Sequence, residues 1–163
     1  MTGAERGIVL IAYDGSDPAR NAIAHAARLF PGMSAVVAVA WTSVRPAIGG
    51  RPVSLSREVV EEAVRSLDAV AEGEGIALAE EGAERARAAG LDASAVALPA
   101  QPSVWESISR LADERAALAI VVGSRGMSVV RSAVLGSVSN ALVHHSRRPV
   151  VVVHPEDPVE AGT

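Results

Sequence analysis

Gly123, Gly126, Gly136 and Ser137 have the types and spacing to hold an anion. They lie in VVGSRGMSVVRSAVLGSVSN (121–140), past an apolar run that reads as a strand and at the head of one that reads as a helix. Glycines at a strand-to-loop turn let backbone N–H groups come close to a phosphate. A helix start offers further unpaired N–H groups and the positive end of the dipole. The Ser137 and Ser139 hydroxyls would add donors, and Arg125 in the turn or Arg131 in the outer wall (127–135) could reach a phosphate. Neither common phosphate loop fits. A P-loop ends in Gly-Lys-Ser/Thr, and all fifteen basic residues of this chain are arginine. The dinucleotide fingerprint needs Gly-x-Gly-x-x-Gly. The same residues also admit a plainer reading, as turn glycines followed by a serine cap.

Other chemistry-bearing residues are few. Asp14 is either a ligand contact or the start of an Asx turn ahead of Gly15. Trp41 either stacks near a base or packs at a strand end. Trp105 reads as packing. His144 and His145 stand at a helix end, where positive charge suits the dipole, and adjacent histidines on a helix point apart and do not chelate. His25 sits among alanines and reads as a helix-surface or satisfied core residue. The acidic stretch from Glu72 to Glu84 reads as a solvated helix face. No metal site and no catalytic residue emerge.

Alternating strands and helices must position these residues. Apolar runs at 7–13, 34–41, 92–98, 117–123 and 149–153 predict five strands. Helices are predicted from Ser16 or Asp17 to Phe30, over 57–90 with a break near Gly73 and Gly75, over 103–116 and over 137–146. Residues 42–56 form a long Gly/Pro/Ser-rich loop. The order βαβαβαβαβ implies a parallel sheet with helices on both faces. Ligands of such sheets bind beyond the carboxyl ends of the strands where strand order reverses. Tyr13-Asp14-Gly15 and Gly123-Ser124-Arg125-Gly126 would share that crevice if strands one and four are neighbours.

Composition narrows the classes. The 163 residues fit one domain, with the tail 155–163 expected to be mobile. Hydrophobic residues make up 49% and aromatic residues 2%, so the core is built from aliphatic side chains. A net charge of -4, with no basic run beyond Arg147-Arg148, argues against nucleic acid as a partner. The chain has no cysteine, which excludes disulfides and thiolate chemistry. The N-terminus reads as a strand rather than a signal peptide, and no apolar run approaches the roughly 18 residues of a membrane span. A soluble cytoplasmic protein is expected.

The spacing G-x2-G-x9-G-S at 123–137 resembles the nucleotide-binding motif of the universal stress protein family (the A-type domain). The stretches IAYDGSDPARNAIAHAARL, RARAAG and RRPVVVV are similar to that family too, so the likeness covers residues 1–154. Two positions depart from the family pattern: Val129 and Ala100 stand where many members carry glycine. The resemblance implies a five-stranded parallel sheet in the order 3-2-1-4-5 and an adenine-nucleotide (ATP) binding regulatory protein of the stress response, with Mg2+ held through the nucleotide. It places Asp14 beside ribose and adenine, the backbone of Ala40 and Trp41 at the adenine edge, and Gly123, Gly126, Gly136, Ser137 and Val138 at the phosphates. It also implies a homodimer through Val150, Val151, Val152 and Val153, since an uncovered edge of four valines would otherwise invite aggregation. Rapid catalysis is not expected. Phosphoryl transfer needs a positioned base and cations at the γ-phosphate, Asp14 is committed to the nucleoside, and no lysine is present. The alternatives are a slow ATPase or phosphotransferase, or a ligand-free dimeric scaffold.

Overall fold

Five consecutive apolar residues can be buried on both faces of a parallel sheet, and Ile8–Ala12 forms the central strand β1 for this reason. The computed structural model describes residues 7–45, 56–126 and 135–154. Expectations for Val129, Arg131 and the rest of 127–134, for most of the 42–56 loop and for the 155–163 tail fall outside the described residues. After β1 come α1 (Asp17–Leu29), β2 (Ser34–Trp41), α2 (Arg57–Ala88), β3 (Asp92–Pro99), α3 (Val104–Glu114), β4 (Ala119–Gly123), α4 (Ser137–His145) and β5 (Val150–Val153). The strands form one sheet in the order β3-β2-β1-β4-β5, every neighbouring pair parallel. Leu10 stands opposite Val36 on one side and Ile120 on the other.

Alternation along the strands divides the core into two layers. Val9 and Ile11 of β1 and Tyr13 just beyond it, with Val37 and Val121, pack under α1 and α2. Leu10, Ala12, Val36, Ile120 and Val122 pack under α3 and α4 through Ile108, Leu111 and Leu142. The chain leaves β1 for one face and β4 for the other. The strand order therefore reverses between these two neighbours, and their carboxyl ends open a crevice there.

Serine starts three of the helices. Ser16 caps α1, Ser56 caps α2, and Ser103 caps α3 with Glu106 three residues on. The predicted break near Gly73 and Gly75 does not occur, and α2 runs unbroken for 32 residues. Two of its glycines serve close packing instead. A β-carbon on Gly75 would lie 3.3 Å from the Trp41 ring, and one on Gly82 would lie 2.8 Å from both Tyr13 and Val37. Burial along α2 is uneven: Gly75, Ala79, Gly82, Ala83 and Ala86 are buried, whereas Val64 is the one buried residue before Gly75.

Candidate functional site

The β1–α1 turn supplies one wall of the crevice. Asp14 Oδ1 accepts from Ser16 N–H at 3.0 Å and from Ser16 Oγ at 2.6 Å, and Ser16 Oγ accepts from Ala19 N–H at 3.3 Å. Gly15 takes the left-handed conformation that the turn needs, with φ +79°. Asp14 is thus the head of an Asx turn, and it also lines the crevice: Oδ1 organises the turn while Oδ2 faces Gly126 across the gap.

The β4–α4 connection supplies the opposite wall. None of the three motif glycines has a positive φ; close approach explains Gly123 and Gly126, whereas a β-carbon on Gly136 would lie 3.4 Å from Arg125 Cα, an ordinary contact. A β-carbon on Gly123 would stand 2.8 Å from the Pro18 carbonyl carbon, so β4 and the first turn of α1 touch backbone to backbone. A β-carbon on Gly126 would stand 2.6 Å from Asp14 Oδ2. Gly136 N–H donates to the Ser124 carbonyl at 2.6 Å, which draws the head of α4 back to the end of β4. The N-cap of α4 is Gly136, and no side chain caps this helix. Ser137 is therefore its first residue and not the serine cap of the plainer reading. The leading amides of α4 point out of the helix with the dipole behind them.

A cavity of about 480 Å³ lies between these walls, within the 300–1,000 Å³ range of small-molecule sites. Asp14, Ala40, Gly123, Arg125, Gly126, Gly136, Ser137, Val138 and Ser139, named in the sequence analysis, are brought together along its lining. Ala12, Ala38, Val104, Ile108 and Val122 form an apolar floor and side that the sequence reading did not pick out. Thr42 is a further rim residue; it lies two positions beyond Ala40, on the same face of the extended chain.

Two of the residues named from the sequence have further contacts. Trp41 does not line the cavity: its ring packs over Gly75 on the α2 side and its carbonyl accepts from Ala100 N–H at 2.7 Å. Strand alternation forces this, because Ala40 and Trp41 point to opposite faces. Ser139 lines the cavity with its hydroxyl engaged by the backbone. Its buried hydroxyl lies 3.0 Å from the carbonyls of Ser124 and of Gly136, and so fixes the turn. Arg125 Nε is buried with no partner among the described residues, as are Trp41 Nε1 and Ser124 Oγ.

The remaining polar clusters lie elsewhere. Tyr13 Oη donates to Glu81 Oε2 at 3.0 Å, and Glu81 also pairs with Arg85. Burial, then the Glu81 bond, raises the Tyr13 phenol above its ordinary value, with Arg20 acting the other way. Trp105 packs against the His145 ring with centroids 5.2 Å apart. No group of three potential metal ligands occurs among the described residues.

The profile of the Universal stress protein family matches residues 5–154. The chain belongs to this family. As a universal stress protein it is 28% identical over 145 residues to Universal stress protein YxiE of Bacillus subtilis, covering 89% of this chain and 97% of YxiE. Its fold is that of the solved structure of the hypothetical protein MJ0577, with TM-score 0.74 and 19% identity over 93% of this chain and 97% of that one. It is also that of a universal stress protein in complex with cAMP, with TM-score 0.60 and 24% identity over 93% of this chain and 99% of that one. No helix among the described residues of this universal stress protein is long and apolar enough to cross a membrane.

Proposed function

We infer that this universal stress protein is an ATP-binding regulatory protein of the cytoplasm, with the nucleotide in the crevice between β1 and β4. The observation that carries the reading is the uncapped head of α4, which faces the same cavity as Arg125, Gly126 and Asp14. Phosphates would lie against the leading amides of α4 and the Gly126 turn, with Arg125 as counter-charge. Asp14 Oδ2 would take the ribose, and the apolar side formed by Ala38, Ala40, Val104 and Ile108 would take the base. The cAMP complex of a protein with this fold supports an adenine nucleotide as the ligand class. Mg2+ would be held through the phosphates, since the cavity presents a single carboxylate among the described residues. That same scarcity favours binding over turnover, because Asp14 is tied to the turn and the described residues place no second carboxylate in the cavity to position water.

Calorimetry with ATP, AMP, cAMP and adenosine tests this reading. ATP is expected to bind most tightly, because the amides address phosphate. Equal affinity for adenosine and ATP would remove the argument from the glycine turn and α4.

The same protein would pair through β5. Val150–Val153 is an edge strand, hydrogen-bonded within the sheet to β4 alone. Antiparallel pairing of two such edges across a two-fold axis satisfies both rows of backbone groups. Val151→Glu is expected to shift sedimentation toward monomer; a wild type that sediments as a monomer at all concentrations would rule out this assembly.

A further inference from the structure

The end of β2 forms the cavity wall farthest from α4, and it is held from outside the cavity. Beyond Trp41 the chain leaves the sheet, and Thr42 lines the rim. The next two residues attach to α2. Ser43 Oγ donates to Asp68 Oδ2 at 2.8 Å, and Val44 N–H donates to Asp68 Oδ1 at 3.0 Å. Ser43 Oγ also accepts from Arg45 N–H at 3.2 Å, so the hydroxyl joins the turn to the carboxylate. Both oxygens of Asp68 are therefore engaged by one short segment, and bonds to a carboxylate are the stronger kind. With Trp41 seated over Gly75 and bonded to Ala100, the segment from Ala40 to Val44 is fixed from β3 and from α2.

The wall so fixed is the base end of the site. β2 and β4 flank β1, so their ends lie two strand spacings apart, about 10 Å. That separation suits a nucleotide with its phosphate at β4 and its base at β2. We propose that Asp68 is a positioning residue for base recognition: through Ser43 and Val44 it sets Thr42 and the Ala40 backbone against the base. This rests on the adenine-nucleotide reading above. Asp68 does not line the cavity, so its removal would leave the phosphate end intact.

The ratio of GMP to AMP dissociation constants isolates the base end, because the two ligands share ribose and phosphate. Asp68→Ala is expected to reduce the wild-type preference for AMP about five- to tenfold while the far-ultraviolet circular dichroism stays unchanged. Asp68→Asn keeps one carbonyl acceptor and is expected to restore most of the preference. Ser43→Ala, which removes the hydroxyl link alone, should fall between them and decides the matter by the same ratio if Asp68→Ala does not fold. Equal weakening of AMP and GMP in these variants, or no change, overturns the proposal while leaving the nucleotide site standing. A wild type that binds AMP and GMP equally also overturns it, since no base end would exist to position. For a wild type that binds neither monophosphate the same ratio is read with GTP and ATP, and one that binds none of the four removes the nucleotide reading and this inference together.

Discussion

The Asp14 carboxylate and the Gly126 backbone approach so closely that a β-carbon on Gly126 would stand 2.6 Å from Asp14 Oδ2. The two sides of the crevice meet at that point. A side chain at 126 would push on a carboxylate already engaged by Ser16, and the conflict would arise in the crevice rather than in either core layer.

Gly126→Val should therefore act on the ligand and spare the fold. Displacing Asp14 and the adjacent turn removes one or two polar contacts to the nucleotide. Each costs about 1.5–3 kcal/mol, about ten- to a hundredfold in affinity. Melting without nucleotide should be close to wild type, and the stabilisation by ATP should be lost. Normal ATP binding by the variant would show that this turn is not the phosphate site.

Gly123→Ala is expected to do the opposite. Its β-carbon would meet the backbone of Pro18 at 2.8 Å, between a buried strand and the first turn of α1. Overpacking against backbone costs about 1–3 kcal/mol. Denaturant midpoints should fall by the corresponding amount with or without nucleotide. A fully stable variant would show that α1 can shift away from β4.

Tyr13 is the single tyrosine of the chain, so phenolate absorbance reports it alone. Burial and the Glu81 bond raise its pKa, so the spectroscopic midpoint should lie above the ordinary value of about 10. A raised value in the folded state contributes stability that is fully present below the unfolded pKa and is lost as pH rises through the folded one. Melting temperature should therefore begin to fall near pH 10, about the unfolded value. Glu81→Gln should lower the midpoint but leave it raised, because burial is the larger cause.

Ala116, just beyond α3, has φ 49°, the one positive value among the described non-glycine residues. Its N–H bonds the Asp113 carbonyl at 3.0 Å, and Ala117 N–H bonds Ala112 at 2.8 Å, which closes the helix. An L-residue in this conformation costs about 1–2 kcal/mol, partly offset for glycine by its freer unfolded chain. Ala116→Gly is expected to stabilise the protein by about 0.5–1 kcal/mol, readable as a higher denaturant midpoint.

The sheet was legible because each strand is an unbroken apolar run between turn residues, and the glycine spacing pointed to the crevice. Periodicity carried two details that the sequence reading did not use. Ala40 and Trp41 cannot share a face of β2, so Thr42 was the residue to pair with Ala40. Ser139 lies two positions beyond Ser137, about 200° around the helix, so one of them had to turn inward. Other features had no local signal. Gly75 and Gly82 resemble helix breakers until Trp41, Tyr13 and Val37 are seen against them, and those partners lie more than thirty residues away in the chain. Asp68 reads as one more acid on a charged helix, since its partners at 43 and 44 come from a different element.

The length of α2 has a consequence for how the molecule opens. Its 32 residues run about 48 Å, whereas the eight residues of β2 or β3 span only about 26 Å. The part beyond Gly75 shares its buried face with the sheet, while the part before it is anchored chiefly by Val64 and Asp68. One continuous helix thus spans two levels of local stability. Amide deuterium uptake should divide it near Gly75: the leading turns exchange through partial openings that leave the domain folded, and the trailing turns only when the whole domain opens.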